Sequence, residues 1–178
     1  MRTTGPGLVR DAVPGDALRC AEIYAPYVRD TAISFETEPP TATEMARRIA
    51  DAQRDHAWLV LENGGTVTGY AYGGPFMSRA AYRWSAAVSV YLDADRRGTG
   101  GGRALYEALI DRLALQGIRT VLAGVALPND ASDRLHRALG FQPVGTYRRV
   151  GWKHGRWHDV AWAQKALSTG DGSPAEPR

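Results

Sequence analysis

The chain has 178 residues, 44% hydrophobic and 23% charged, with 22 Lys plus Arg against 19 acids for a formal net charge of +3. Those values describe one globular domain able to bury a sizeable core, with a mild bias toward anionic ligands and no basic run of the kind that grips nucleic acid. The single cysteine, Cys20, excludes a disulfide framework and a thiolate metal site; no stretch has membrane-spanning length and MRTTGPGLVRDAV holds no secretory leader, so the expected location is the cytoplasm.

From the N-terminus, Leu8 to Val13 is a short apolar segment stopped by Pro14, and Asp16 then opens a helix with Leu18, Ala21, Ile23 and Tyr24 toward the core. A loop through Phe35 and the pair Pro39 and Pro40 leads to Thr41 and Thr43. Either can cap a helix through Met45 and Ile49 to about Asp55, with Arg47, Arg48, Asp51 and Arg54 on a solvated face. Ala57 to Leu61 and Val67 to Tyr72 flank Asn63, Gly64 and Gly65, which predicts a hairpin. Tyr82 to Leu92 reads as a long strand, and after a glycine run Leu105, Leu109 and Leu113 keep helical spacing until Gln116 and Gly117. Thr120 to Val125 is a fully buried apolar strand, and Asn129 opens a last helix with Leu135, Ala138 and Leu139 inward and Gly140 at its end. Val144 to Val150 and Trp157 to Ala163 close the chain as two strands joined by a hairpin from Gly151 to Arg156. The polar stretch from Ser168 predicts a disordered tail, 168–178, beyond a single domain, 1–167. The order βααββ(β)αβαββ is that of an α/β sheet with helices on its faces.

The segment from Asp95 to Arg103, DRRGTGGGR, sits between a strand and a helix and carries three arginines with four glycines. A strand, a glycine turn and a helix start make an anion site, because the first helical N–H groups point outward and glycine lets a phosphate approach them. A P-loop is excluded, since no lysine with a following hydroxyl is present. A dinucleotide fingerprint is excluded too: counted from Gly98 its last glycine falls on Arg103, and Thr120 to Val125 supplies no acid. The pattern Arg/Gln-x-x-Gly-x-Gly is satisfied by Arg97, Gly98, Thr99, Gly100, Gly101 and Gly102.

That pattern resembles the acetyl-coenzyme A pyrophosphate loop of the GNAT superfamily. The stretches FETEP, AYRW, SVYL, LPND, RLHRALGF and GWKHGRWHDV, spread over roughly Val9 to Leu167, are similar to those of the phosphinothricin and methionine sulfoximine acetyltransferases within it. The resemblance implies an α/β fold of the GNAT type: a mixed, mostly antiparallel sheet of about seven strands flanked by about four helices. It implies an N-acetyltransferase that moves acetyl from acetyl-CoA to the amine of a small molecule, an amino-acid analogue or another small amine. By the same resemblance the backbone of Val90, Tyr91 and Leu92 binds the pantetheine arm as an added strand. Arg97, Gly98, Thr99, Gly100, Gly101 and Gly102 hold the pyrophosphate, and Asn129 also contacts the cofactor. Phe35, Arg79 and Tyr82 fall where the family binds its amino-acid-like substrate; an arginine there suits a carboxylate, which its planar donors engage twice. His136 stands at the family's histidine position, with an unperturbed pKa near 6.5 that permits acid or base duty at neutral pH. The family also implies a homodimer, with the C-terminal hairpin near the contact.

Two positions depart from the family. Relatives that detoxify herbicide carry a glutamate thought to act as base where WSAAVSVYL has Ala87, and a basic residue where this chain has Met77. The base is then His136 through water, or Glu36, or none if the amine has a low pKa, and the preferred acceptor differs from phosphinothricin. Two other readings stand beside the enzyme of a small amine: an acyl-CoA sensor without chemistry, and a protein N-acetyltransferase, against which the bulky FETEP and AYRW loops argue. His154, His158 and Asp159 lie on a hairpin whose alternate residues face opposite sides, so no metal is expected. Trp152, Trp157 and Trp162 are assigned to the core or a subunit contact, and neither nucleic acid nor membrane is an expected partner.

Overall fold

A computed structural model of the protein describes residues 7–178. In chain order it has β1 (Leu8–Asp11), α1 (Ala17–Asp30), α2 (Ala42–Asp55), β2 (Trp58–Asn63), β3 (Thr66–Pro75), β4 (Ser85–Leu92), α3 (Gly101–Leu115), β5 (Thr120–Ala126), α4 (Asp130–Ala138), β6 (Gln142–Lys153) and β7 (Arg156–Ala166). The strands form one sheet in the order β1-β2-β3-β4-β5-β7-β6, antiparallel except where β4 meets β5. This is the mixed, mostly antiparallel α/β architecture expected.

Local chemistry explains where the elements begin and turn. Of the two threonines before α2, Thr41 is the cap: its hydroxyl accepts from Glu44 N at 3.1 Å, satisfying a donor that the helix leaves unpaired. Between β2 and β3, Gly64 and Gly65 take φ of 58° and 80°, the left-handed pair that a two-residue hairpin turn requires. Alternation along the strands then sends residues to two faces. On one face Leu59, Leu61, Ala71, Ala86, Val88, Val121 and Ala123 pack under α3, through Leu105, Tyr106, Leu109 and Leu113. On the other, Trp58, Val60 and Tyr70 pack under α1 and α2, through Cys20, Ile23, Tyr24, Met45 and Ile49. Each Leu, Val, Ile or Met among them contributes about 1.5–3 kcal/mol when fully buried.

Several sequence expectations need correcting. Leu18 faces solvent, because it shares a helical stripe with Glu22, Pro26 and Arg29, and the buried stripe runs instead through Ala17, Cys20, Ala21, Tyr24 and Val28. Ala138 is exposed, while Leu139 and Phe141 carry the end of α4 inward. Tyr82 lies in a short 3₁₀ turn, Ala80–Tyr82, and β4 begins only at Ser85. β6 and β7 are longer than predicted and meet at a two-residue turn, His154–Gly155, with φ of 50° and 72°. Trp152 and Trp157 are exposed and pack on each other, so neither belongs to the core. Residues 168–178 form no helix or strand; Ala175 O accepts from Trp84 Nε1 at 2.8 Å and Arg178 N donates to Gln116 O at 2.8 Å.

The feature that creates a site is the short β4–β5 contact. Only Ser85–Thr120, Ala86–Val121 and Ala87–Leu122 pair, although β4 continues to Leu92 and β5 to Ala126. Past Ala87 the two strands separate and the sheet opens. Accordingly β5 is not buried throughout: Gly124 is exposed and Val125 half-buried, because they line the opening.

Candidate active site

The opening is a cleft of about 420 Å3 bounded by β4, β5, the start of α3 and one side of α4. Its β4 edge has a defined set of unpaired backbone groups. Odd-numbered residues direct their N–H and C=O toward β3, as Asp93 N does at 2.9 Å from Thr68 O, whereas Val88 O turns the other way, toward Tyr106. Leu92 also turns the other way, but Tyr27 Oη donates to its O at 2.6 Å, and its N–H donates to that hydroxyl at 3.3 Å. By the same alternation Val90 directs both backbone groups into the gap. Of Val90, Tyr91 and Leu92, Val90 is therefore the one whose backbone is open to a ligand strand, while Tyr91 is paired with Tyr70 on β3.

The glycine run forms the mouth of the cleft. The first bond closing α3 runs from Ala104 N to Gly100 O at 3.1 Å, so the N–H groups of Gly101, Gly102 and Arg103 have no helical partner and sit at the positive end of the helix dipole. The glycines turn out to serve different ends. Gly98 and Gly100 have φ of 76° and 85°, with open space where a Cβ would stand. A Cβ on Gly101 would come 2.6 Å from Leu61 Cδ2, so that position is glycine for helix-on-sheet packing and not for a ligand. Gly102 meets only ordinary contacts, and Thr99 folds the loop by donating from Oγ1 to Arg96 O at 2.7 Å. Neither Thr99 nor Gly101 lines the cleft. Arg97 does; its guanidinium lies 4.9 Å over the Tyr27 ring, a cation–π contact of about 0.5–1 kcal/mol that holds it in place. Asn129 caps α4 by accepting from Ser132 N at 3.1 Å through Oδ1, and its amide nitrogen at the cleft wall has no partner among the described residues.

His136 projects from α4 into the same cleft and is only 4% exposed. Burial pushes its pKa below the ordinary 6.5, more than Ser132 and Asp133 push it back up, so the ring is neutral at neutral pH. Ser132 Oγ stands 3.3 Å from Nδ1 and Tyr106 Oη 3.3 Å from Nε2, and Tyr106 Oη in turn lies 3.4 Å from Val88 O. The four groups form a continuous polar chain along the cleft wall. Tyr106 and Ser132 were not singled out from sequence. Tyr106 follows Leu105 on the buried stripe of α3, where nothing local marks its hydroxyl, and Ser132 is separated from His136 by one helical turn, the spacing at which two side chains meet; that spacing is the available signal.

Phe35, Arg79 and Tyr82 come together only in part. Phe35 rests on Gly151, where a Cβ would lie 2.2 Å from its ring, and its ring centroid is 6.1 Å from that of His158. Tyr82 meets Phe76 edge-on at 5.8 Å, and Phe76 meets Trp162 at 5.8 Å. His158 and Trp162 lie on the same face of β7, four residues apart, so the two groups stand about 13 Å apart along one wall. This wall shares its sheet face with Ala87, Ser89 and Gly124. Arg79 is exposed and makes no ion pair among the described residues. Ala87 supplies no carboxylate, and Glu36 is already engaged: Arg48 donates to both its oxygens at 2.7 and 3.0 Å and Tyr24 Oη donates at 2.9 Å. Burial alone would raise the Glu36 carboxyl, but those hydrogen bonds outweigh it and hold the group below its usual range. His154, His158 and Asp159 do not converge, and no metal-binding cluster occurs among the described residues. His158 is buried with Nε2 3.0 Å from Lys153 O, while Asp159 accepts from Arg149 N at 2.7 Å. A second cavity of about 340 Å3 lies under α2, but its Arg48 and Asp51 are spent on Glu36, Glu44, Arg47 and Arg54.

A helix start with unpaired N–H groups that leads into a gap in the sheet, with a polar chain through His136 on the gap's wall, is an arrangement suited to a group-transfer enzyme whose donor is long and anionic. Comparison with known proteins agrees. Residues 9–162 match the family model described as the acetyltransferase (GNAT) domain. The chain is 38% identical over 173 residues to a phosphinothricin N-acetyltransferase of Streptomyces viridochromogenes, covering 97% of this chain and 92% of that one. It is 36% identical over 168 residues to an L-methionine sulfoximine/L-methionine sulfone acetyltransferase of Pseudomonas paraeruginosa, covering 93% and 98%. A solved phosphinothricin acetyltransferase of the GNAT superfamily from Sinorhizobium meliloti, in complex with AcCoA, superposes with a TM-score of 0.92 at 37% identity, over 96% of this chain and 94% of that chain. The chain belongs to the GNAT acetyltransferase family and is an N-acetyltransferase.

Proposed function

We propose that the protein transfers the acetyl group of acetyl-CoA to the amine of a small, amino-acid-like molecule of the phosphinothricin or methionine sulfoximine type. The observation that carries this is the continuity of one cleft, in which the unpaired N–H groups of α3 lead directly to the open backbone of Val90. A diphosphate on Gly98, Gly100, Gly102 and Arg97 leaves a pantetheine arm to run beside Val90 as an added strand, toward the point where β4 and β5 part. The acceptor comes from the opposite face, between the Phe35 loop and the Tyr82–Phe76–Trp162 wall, with Arg79 free to engage its carboxylate.

Amide formation requires the amine nitrogen to lose a proton and the departing thiolate to gain one. Neutral His136 can accept a proton, and its links to Ser132 and Tyr106 let a proton enter and leave the relay without exposure to bulk water. Glu36 is a poor base, because Arg48 and Tyr24 stabilise its ionised form. Calorimetry should detect coenzyme A binding, and mixing with acetyl-CoA and a panel of amino-acid analogues should release free thiol. No release with any amine in the panel, with coenzyme A still bound, would leave the second reading, an acyl-CoA sensor. The absence of a carboxylate at Ala87 favours that alternative.

The working unit in this proposal is a homodimer in the cytoplasm. β6 is one of the two edge strands, and Val144, Tyr147, Val150 and Trp152 on it are all exposed, as is Trp157 on β7. A long apolar edge of this kind is an aggregation hazard unless it is covered, and a second copy would cover it. Sedimentation of the wild type and of Trp152→Glu tests this; a wild-type monomer at micromolar concentration would refute it. No described helix is long and apolar enough to cross a membrane.

A further inference from the structure

The segment between α1 and α2, residues 31–41, has no regular structure, yet it carries Phe35 and Glu36. Its shape is imposed from far along the chain. Lys153, the last residue of β6, is 7% exposed and sends its ammonium between the end of α1 and this loop. Nζ donates to Val28 O at 2.6 Å, to Ser34 O at 2.7 Å and to Glu36 O at 2.8 Å. Val28 O is among the last four carbonyls of α1, which lack a helical partner and form the negative end of its dipole. No carboxylate pairs with Lys153 among the described residues, so its three donors are all spent on backbone. The adjoining residue repeats the pattern, with His154 Nε2 3.2 Å from Thr31 O. Gly151, two residues earlier on the same strand, is the surface on which the Phe35 ring rests. His158 Nε2, at 3.0 Å from Lys153 O, braces the hairpin that presents all three.

We propose that Lys153 is a positioning residue for the amine substrate: from the β6–β7 tip its ammonium fixes the 31–41 loop and thereby sets where Phe35 stands in the acceptor pocket. This rests on the reading above that the Phe35 side receives the amine. A methionine of similar length would fill the same channel without a charge to desolvate, so packing alone does not call for lysine. What the ammonium adds is direction, since one atom fixes the carbonyls of a helix end and of two loop residues at once. Of the 31–41 loop only Ile33 reaches the donor cleft, and Phe35, Gly151 and Lys153 do not line it.

The test is Lys153→Met, measured for hydrogen exchange over residues 29–41, for steady-state kinetics with L-methionine sulfoximine and with phosphinothricin, and for coenzyme A affinity. Exchange in the loop should quicken by about tenfold or more. KM for the amine should rise by about tenfold or more, with kcat within about threefold and the coenzyme A Kd unchanged. Gly151→Ala, which pushes on Phe35 without touching the ammonium, should raise the amine KM in the same direction, and it decides the matter if Lys153→Met fails to fold. Wild-type exchange and wild-type KM in these variants overturn the proposal, as does a parallel loss of amine and coenzyme A binding. If the unsubstituted protein acetylates neither amine, the acceptor reading fails, while loop exchange still decides whether Lys153 sets the loop.

Discussion

The two sides of the sheet opening are built by different means. On the side proposed for the donor the open groups are backbone groups fixed by the fold: the N–H groups opening α3 and the Val90 edge exposed where β4 and β5 part. On the acceptor side they are side chains on loops, held by residues over a hundred positions away, as Lys153 holds Val28, Ser34 and Glu36. Backbone devices recognise what all donors of one kind share and tolerate substitution nearby. Side-chain walls on loops define one acceptor and change with few substitutions. The donor is accordingly the better determined of the two substrates.

The relay on the cleft wall gives the sharpest way to break this contrast. If His136 moves the proton, His136→Ala should lower kcat by about 10² to 10⁴ while coenzyme A binding, proposed to rest on the α3 start, Arg97 and Val90, stays constant. Tyr106→Phe, which cuts the chain one atom further on, should cost less. Equal kcat for His136→Ala and wild type across pH 6 to 9 removes the relay from the mechanism. The next effect separates two neighbouring glycines. Gly100→Val forces a β-branched residue into φ of 85°, at about 1–3 kcal/mol, and should weaken coenzyme A binding by about tenfold to a hundredfold as the loop leaves its shape. Gly101→Ala meets the flexible end of Leu61 instead and should lower stability by about 1 kcal/mol, read as a denaturation midpoint, with affinity little changed.

The same contrast accounts for what could be read from sequence. The strand, glycine loop and helix are contiguous, so local periodicity and the Arg97 to Gly102 pattern make the strand, turn and helix start legible in the sequence. Even there the reason for each glycine was hidden, because the Gly101 contact with Leu61 spans 40 residues. The backbone direction that frees Val90 and engages Leu92 depends on sheet register and on Tyr27, which reaches Leu92 from 65 residues away. On the acceptor side almost nothing was contiguous. Lys153 sits in the hairpin from Gly151 to Arg156 with its partners 117 to 125 residues away, and the ion pair that ties up Glu36 needs Arg48 from the next helix. Leu18 and Ala138 were misassigned for a simpler reason: on a short amphipathic helix, apolar identity does not settle which stripe faces the sheet.

Tyr27 links the two regions and predicts a smaller effect. Its hydroxyl closes the Leu92 backbone from α1, and its ring carries Arg97 at the donor mouth. Tyr27→Phe keeps the ring and removes the bridge, so it should cost about 1 kcal/mol of stability while preserving the arginine's position. Coenzyme A affinity should change by less than about threefold. A large loss of affinity with stability intact would mean that the hydroxyl itself serves the ligand.

The smallest expected effect is a pH dependence of folding. Burial lowers the pKa values of His136 and His56 below the 6.5 that an unfolded chain would show. The unfolded state therefore takes up protons first as pH falls, and linkage requires stability to decline with it. The contribution is whole above pH 6.5 and is lost as pH drops through the depressed folded values. Glu36 and Asp16, also depressed, act in a lower window, because their unfolded values lie at 4.5 and 3.8. Urea midpoints taken between pH 7.5 and 5.5 thus isolate the histidines, and His136→Gln should flatten the slope in that interval. A slope that survives in the His136→Gln/His56→Gln double variant would place the titrating group elsewhere and leave the neutral His136 assumed by the relay without support from stability.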